Sequence, residues 1–431
     1  MPLRLDSQSA DFPERFRSLL AVKRETAQDV EQIVRGIIAD VANRGDNALF
    51  ELTAKFDRID LAKTGVRVAA ADIDAAEKSC RSEALAALTL ARDRIEAYHR
   101  RQRPVDERFR DPLGVEIGTK WTAIETVGLY VPGGIAAYPS SVLMNAVPAK
   151  VAGVPRLAMV VPAPDGNLNP LVLAAAKLAG VDEIYRIGGA QAVAALAYGT
   201  ESIAPVAKIV GPGNAYVAVA KRLVFGKVGI DMIAGPSEVL ILADKTGNPD
   251  WIAADLLAQA EHDASAQSVL ITDDATLATQ VEKAINSQLR GLSRADIAGA
   301  SWNKFGAIII VPRLAEAVAL VDQLAPEHLE IMAADADRLA TRIRNAGAIF
   351  LGAHTPEAIG DYVAGTNHVL PTARAARFSS GLGVLDFMKR TSLLKCGPQQ
   401  LRALGPAAIA LGDAEGLSAH ARSVAIRLNQ K

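Results

Sequence analysis

The chain has 431 residues, half of them hydrophobic and 22% charged, with a formal net charge of −1. That is the balance of an ordinary globular protein long enough for roughly three domains. Basic residues cluster only in short pieces such as 99-HRRQR-103, which argues against nucleic acid or an anionic membrane as the main partner. No apolar run is long enough to span a bilayer, and the N-terminal "MPLRLDSQSADFPERF" has no apolar signal core. Cys80 and Cys396 stand in no metal or redox spacing, so a reducing cytoplasm is the expected compartment and cysteine chemistry an unlooked-for engine.

In chain order, residues 26–56 read as helical, with Val30, Ile33, Ile37 and Val41 at helical spacing and a stop signal at Gly45. A second long helix is predicted through "DIDAAEKSCRSEALAALTLARDRIEAYHRRQR", ending before Pro104. After about residue 125 the texture changes. "LAMVVPA", "EIYRIGG", "AKIVGPG" and "EVLILAD" are continuous apolar runs ending in Gly, Pro or Asp, separated by alanine-rich helical stretches. The pattern repeats in "SVLIT", "GAIIIVP", "LEIMA" and "AIFLG", alternating with helices near 249–263, 274–291, 313–324 and 335–346. Strands apolar on both sides and separated by helices predict parallel sheets covered on both faces, here two doubly wound, incomplete Rossmann-like α/β units. Beyond about residue 381 the rhythm is lost, and the chain closes on an amphipathic helix, "SAHARSVAIRL".

Histidine is scarce: His99, His262, His328, His354, His368 and His420. His99, beside Arg100 and Arg101, reads as a solvated helix end, and His354 in "GAHTPEAIGDY" as a loop residue. Gln259 and His262 in "LAQAEHDASAQ" are three apart and share a helix face, which suits two ligands of one ion. Gln is a weak ligand, so half a metal site and the polar end of a surface helix both stand. Glu327 and His328 in "LAPEHLEI" follow Pro326 at the start of an apparent strand. Side by side they offer a carboxylate base and an imidazole that exchanges protons near neutral pH, with a surface ion pair as the alternative. Catalytic groups of open α/β sheets commonly lie at the carboxyl ends of strands, whereas this pair lies at an amino end. The Gly-, Ser- and Thr-rich stretch 360–384 carries Asp361, His368 and Arg377 and has the length of a functional loop. Glu415 and His420, five apart in "AEGLSAHA", point in different directions on a helix and suit separate roles. No clean Gly-x-Gly-x-x-Gly fingerprint follows a strand. "YRIGGAQAVAALAYG" and "KIVGPGNAYVAVAK" are weaker strand–turn–helix candidates for a pyrophosphate, and glycines there also serve ordinary packing.

The blocks "VGLYVPGGIAAYPSSVLMNAVPAKVAGV", "KIVGPGNAYVAVAK", "AGPSEVLILAD", "LLAQAEHD", "APEHLE", "GDYVAGTNHVLPT" and "EGLSAHA", in that order from about residue 120 to 427, together resemble the histidinol dehydrogenase family. Ala264 after "AEHD" and Ile233 before "AGPSE" depart from the family pattern, and neither replaces a functional side chain. The resemblance implies an NAD-dependent, zinc-containing homodimer that oxidises L-histidinol to L-histidine through the aldehyde. On its motifs, Gln259, His262, Asp361 and His420 are implied as metal ligands, an N/O set that Zn²⁺, Mn²⁺ or Co²⁺ accepts. Glu327 and His328 are implied as the catalytic pair. Ser237, Gln259, His262, His328, Asp361, His368, Glu415 and His420 are implied around the substrate, and Tyr130, Gln191 and Asn214 around NAD. It further implies that residues 1–127 pack with 238–380 as a first domain, that 128–237 form the NAD-binding domain, and that 381–431 exchange between subunits, so that Glu415 and His420 complete the partner's site. A dehydrogenase on the same scaffold for another polar alcohol, such as a sulfonated propanediol, is the nearest rival.

Overall fold

The computed structural model describes residues 2–21, 28–133, 138–233 and 235–429. Two parallel sheets organise it, as the alternating apolar runs predict. One has six strands in the spatial order Leu3–Asp6, Ala307–Ile310, Gln267–Thr272, Glu238–Ala243, His328–Met332, Ala348–Leu351, all pairs parallel. The chain steps outward from Glu238–Ala243 to Ala307–Ile310 and then returns to the other side of its starting strand. The other sheet has five strands in the order Glu183–Tyr185, Arg156–Val160, Thr126–Tyr130, Lys208–Val210, Gly229–Ile230, again all parallel, with the same reversal beside Thr126–Tyr130. Helices start where side-chain caps satisfy their first N–H groups. Asn248 caps Pro249–Ala260 through Asp250 and Trp251, and Asp274 caps Ala275–Gln288 through Thr276 and Leu277.

Several expectations need correction. Of the N-terminal segment, the strand Leu3–Asp6 and the helix Phe12–Ala21 join the six-stranded unit. The helix Gln28–Arg44 buries Val34, Ile37, Ile38 and Val41 instead against Tyr130, Ile187 and Ala190 of the five-stranded unit, and the helix Ser82–Arg100 buries Leu88, Ala91 and Ile95 there as well. An amphipathic face specifies that it must be covered and leaves open by which sheet. The second long helix is two, Ala70–Ser79 and Ser82–Arg100, broken at an extended Cys80. Ser79 Oγ and Cys80 Sγ both bond back to the Ala76 carbonyl, a local alternative to continuing the helix. The predicted helix at 335–346 is only Ala336–Ala340. A third, antiparallel sheet of Glu107–Arg110, Glu116–Ala123 and Met388–Lys395 has no apolar alternation to announce it and ties the segment after 381 to the N-terminal one.

His99 is the clearest reversal: it is completely buried. Its Nδ1 lies 2.7 Å from the Ile95 carbonyl, and its ring meets Tyr98 edge-on. The segment carrying Leu382, Val384 and Phe387 covers this helix end, pinned where Gln102 accepts the Val384 N–H. Burial holds the His99 pKa below its ordinary 6.5. Below that pH the unfolded chain takes up a proton that the folded chain refuses, so stability falls as pH drops from 6.5 toward the folded value. Denaturant midpoints across this range should show that acid-side loss, and His99→Gln should flatten it. An unchanged slope would count against the neutral buried imidazole.

Candidate active site

The Glu327–His328 pair enters the six-stranded sheet through a strained turn. The helix Leu314–Leu324 ends on Ala325 at φ 45°, a left-handed conformation that costs a non-glycine residue about 1–2 kcal/mol. Pro326 follows, and the carbonyls of Pro326 and Glu327 accept N–H bonds from Gly347 and Ala348, fixing the next two side chains. Along the strand, His328, Glu330 and Met332 share one face, while Leu329 and Ile331 join the core on the other. The helix Pro249–Ala260 covers that first face. Asp255, one turn before Gln259, is in side-chain hydrogen-bond contact with Glu330, and Gln259 is 1% exposed. The Glu330 carboxylate also accepts the Glu357 N–H at 2.6 Å, holding the start of the helix Glu357–Tyr362 that carries Asp361.

These contacts converge on one centre. His328 Nδ1 lies 3.0 Å from the Glu238 carbonyl, which can only accept, so Nδ1 carries the hydrogen and Nε2 presents its lone pair. Glu357 lies 3.5 Å and Glu327 3.7 Å from Nδ1, and Asp361 lies 3.8 Å from Nε2. Glu327 accepts the Glu238 N–H at 3.0 Å and a side-chain bond from Ser237. His368 holds the Asp361 carbonyl through Nδ1 at 3.0 Å. His262, just past the Gln259 helix, is exposed at the rim, and its charge is felt at both His328 and His368.

Burial dominates the electrostatics. It pushes Glu327 and Glu357 well above the ordinary carboxyl range, Asp361 up to about 7 and Glu330 up to about 8, the last with the charge of Asp255 adding to it. It drives His328 down to about 3 and His368 to about 4. Among the described residues, Glu327, Glu357 and Asp361 form ion pairs only with His328. Both side-chain atoms of Gln259, His328 Nε2, and one oxygen each of Glu330 and Glu357 are buried without a hydrogen-bond partner. Ligand atoms of His328, Glu357 and Asp361 lie within 4.8 Å of one another. Crowded carboxyls and orphaned buried donor atoms, with no lysine or arginine paired to the carboxyls among the described residues, are what a divalent cation would relieve, so the residues present fit a metal. Sequence reasoning missed Glu357, Glu330 and Asp255. The i,i+4 spacing of Glu357 with Asp361 and of Asp255 with Gln259 was the available signal.

The structure therefore gathers Ser237, Gln259, His262, Glu327, His328, Asp361 and His368 at the amino edge of the six-stranded sheet. Glu415 and His420 stand apart. Both are exposed on a helical hairpin, Pro398–Ala414 and Ser418–Ala425, whose helices pack on each other. Among the described residues no hydrogen bond joins either one to the cluster.

Tyr130, Gln191 and Asn214 lie on the other sheet, at the carboxyl ends of Thr126–Tyr130, Glu183–Tyr185 and Lys208–Val210, beside the reversal of strand order where α/β sheets form their crevice. Tyr130 is buried, its hydroxyl accepts the Gly189 N–H at 2.9 Å, and burial pushes its pKa up to about 12. Gln191 is buried in the first turn of Gly189–Tyr198. Asn214 caps Ala215–Val224 with its side-chain oxygen, leaving its amide nitrogen to donate outward. A Cβ on Gly211, at φ 108°, would stand 2.1 Å from the Tyr130 carbonyl oxygen, so only glycine permits that turn. The buried Lys221–Asp231 ion pair clamps it: Lys221 donates to the Gly211 carbonyl and Asp231 accepts the Gly211 N–H. Two helix N-termini thus meet close-packed loops, which fits the pyrophosphate of a dinucleotide. The loop after Thr126–Tyr130 also brings Tyr138 near Tyr362, next to Asp361.

Fold and site together define a two-unit α/β enzyme, with a reversal of strand order at the sheet edge of one unit and a buried acid–base centre on the other. A family profile described as histidinol dehydrogenase matches residues 20–428. The chain is 73% identical to histidinol dehydrogenase of Bradyrhizobium diazoefficiens and 72% to that of Rhodopseudomonas palustris, in both cases covering 100% of either chain. The crystal structure of histidinol dehydrogenase from Elizabethkingia anophelis superposes with a TM-score of 0.95 at 36% identity, over 99% of this chain and 98% of that one. The chain belongs to the histidinol dehydrogenase family and is an oxidoreductase.

The orphaned Gln259 makes the metal reading measurable without turnover. Leaving a buried polar group unpaired costs about 1–3 kcal/mol, so Gln259→Leu should leave the metal-free chain as stable or more so. It should also remove most of the stabilisation conferred by added Zn²⁺ through linkage. Urea unfolding with chelator and with zinc checks both. A leucine variant that keeps its full zinc-dependent stabilisation would exclude Gln259 as a ligand.

Proposed function

We propose that the chain oxidises L-histidinol to L-histidine in two steps through bound L-histidinaldehyde, using NAD and a divalent metal. The observation that carries this reading is the neutral, buried His328, with Nδ1 fixed on a carbonyl and Nε2 unpartnered beside Asp361. NAD, when bound, accepts the hydride of each step. Gln259, His262, Asp361 and the partner subunit's His420 would hold the metal, which would supply a Lewis acid that helps orient the substrate. Zn²⁺ is the expected ion, with Mn²⁺ and Co²⁺ compatible with the same ligands.

His328 takes the hydroxyl proton at Nε2 in the first oxidation. The imidazolium so formed is compensated by Glu327, Glu357 and Asp361, all within 4 Å of the ring nitrogens. Glu327, a stronger base than an exposed carboxylate because it is buried, takes a proton from the water that attacks the aldehyde. Its bonds to the Glu238 N–H and Ser237 hold it in place. His328 serves again in the second oxidation. His368 and Ser237 line the substrate side, and Tyr130, Gln191 and Asn214 contact NAD on residues 128–237. Neither thiol fits an acyl-enzyme route: Cys80 lies on the Ala70–Ser79 helix end and Cys396 on an exposed turn.

The C-terminal hairpin supports a homodimer that exchanges this segment. It leaves Leu404, Leu411, Leu417 and Ile426 exposed beside Glu415 and His420, a surface suited to covering by a second copy. Among the described residues no helix is long and apolar enough to cross a membrane.

A steady-state assay with histidinol against a sulfonated propanediol tests the substrate, and preference for the latter would install the rival reading. Glu327→Gln should slow aldehyde oxidation on the order of 10²-fold or more while sparing the alcohol step. Equal loss in both steps would remove the assigned role. Chelation to completion should abolish turnover and zinc should restore it, so full activity in a metal-free preparation would overturn the metal.

A further inference from the structure

Asp57 is a buried carboxyl outside the acid–base centre. It ends the helix Asp46–Asp57, is 8% exposed, and keeps one carboxylate oxygen without a hydrogen-bond partner. Thr53, one turn earlier and so on the same helix face, is fully buried and also has an unpartnered hydroxyl.

The helix end docks on the carboxyl edge of the five-stranded sheet. The helix Asp46–Asp57 contacts the helix Gly189–Tyr198 and the turn Pro164–Gly166 that follows Arg156–Val160. The next residue, Arg58, grips Asp165 of that turn with two bonds of 2.6 and 2.7 Å, and Ile59 packs where Gly166 turns. The charge of Asp57 is felt at Tyr130, whose hydroxyl holds the Gly189 N–H. Asp57 therefore sits among the strand ends beside the reversal of strand order.

In doubly wound dinucleotide folds, an acid at the end of the second strand accepts the ribose hydroxyls of the adenosine half and repels a 2′-phosphate. Here the second strand is Arg156–Val160, and the acid beyond it, Asp165, is committed to Arg58. The neighbouring acid with an unsatisfied oxygen comes instead from a helix outside the sheet's own succession of strands. We propose that Asp57 accepts ribose hydroxyl hydrogen bonds from the bound dinucleotide and makes the site prefer NAD to NADP. This rests on the reading that the five-stranded unit binds a nicotinamide dinucleotide.

The test is direct binding, measured by calorimetry on the full chain with NAD and with NADP, for the unsubstituted protein, Asp57→Asn and Asp57→Ala. Losing hydrogen bonds to a charged acceptor should weaken NAD binding roughly tenfold to a hundredfold in the alanine variant. In both variants NADP binding should hold or improve, so the preference for NAD narrows by about tenfold or more. An unchanged zinc-dependent unfolding midpoint shows that the rest of the chain is intact, and Asp57→Asn keeps the side chain's size should alanine disturb packing. Equal weakening of NAD and NADP, or no change in either, overturns the proposal while leaving the dehydrogenase reading in place. An unsubstituted chain that bound no NAD would overturn the dinucleotide reading and this proposal with it.

Discussion

The structure depends on one electrostatic constraint: several carboxyl groups and an imidazole are buried together at the amino edge of the six-stranded sheet, and among the described residues no lysine or arginine forms an ion pair with them. In a low-dielectric interior each of these groups resists its charged form, which is why burial drives the carboxyls up and the histidines down. Such a cluster destabilises the fold on its own account and persists where function requires it. Its members are held by backbone. Glu238 supplies a carbonyl to His328 and an N–H to Glu327, and Glu330 holds the Glu357 N–H, so sheet pairing itself orients the chemistry.

The two candidate sites lie at opposite edges of similar sheets. In the five-stranded unit the candidate residues lie at the carboxyl edge, where loops are close-packed by glycine and two helix N-termini gather. In the six-stranded unit they lie at the amino edge, where a left-handed Ala325 and the Pro326 turn place Glu327 and His328 under the cover of the Gln259 helix. Connections between the units carry the remaining parts. Asn367, next to His368, donates to the Met144 carbonyl of the Pro139–Ala152 helix, and Arg94 donates to the carbonyls of Val363 and Ala364. The segment bearing Asp361 and His368 is thereby anchored on the unit it does not belong to by sequence.

How much was legible in the chain follows from what each signal reports. Continuous apolar runs such as "EVLILAD" and "GAIIIVP" announced buried parallel strands because both faces of a parallel sheet are covered. Leu3–Asp6 escaped notice because a short edge strand carries little pattern, and Glu107–Arg110 because all its residues are exposed. His99 was misread because flanking arginines describe the average exposure of a helix end and say nothing of one residue's inward angle. Glu357 and Asp255 looked like ordinary solvated acids until a sheet face and a covering helix enclosed them.

By itself the sequence determined the α/β class, the two series of strands, the family through its ordered motif blocks, and the candidate pair Glu327–His328. These are local: they rest on periodicity, turn chemistry and residues adjacent in the chain. The tertiary structure alone decided which sheet covers each amphipathic helix, which acids become buried, and that Gln259 is left without partners. It also set Asp57 at the edge of the other unit. Burial and convergence are properties of residues far apart in sequence, and no local pattern encodes the dielectric that a distant helix creates when it closes over a charge.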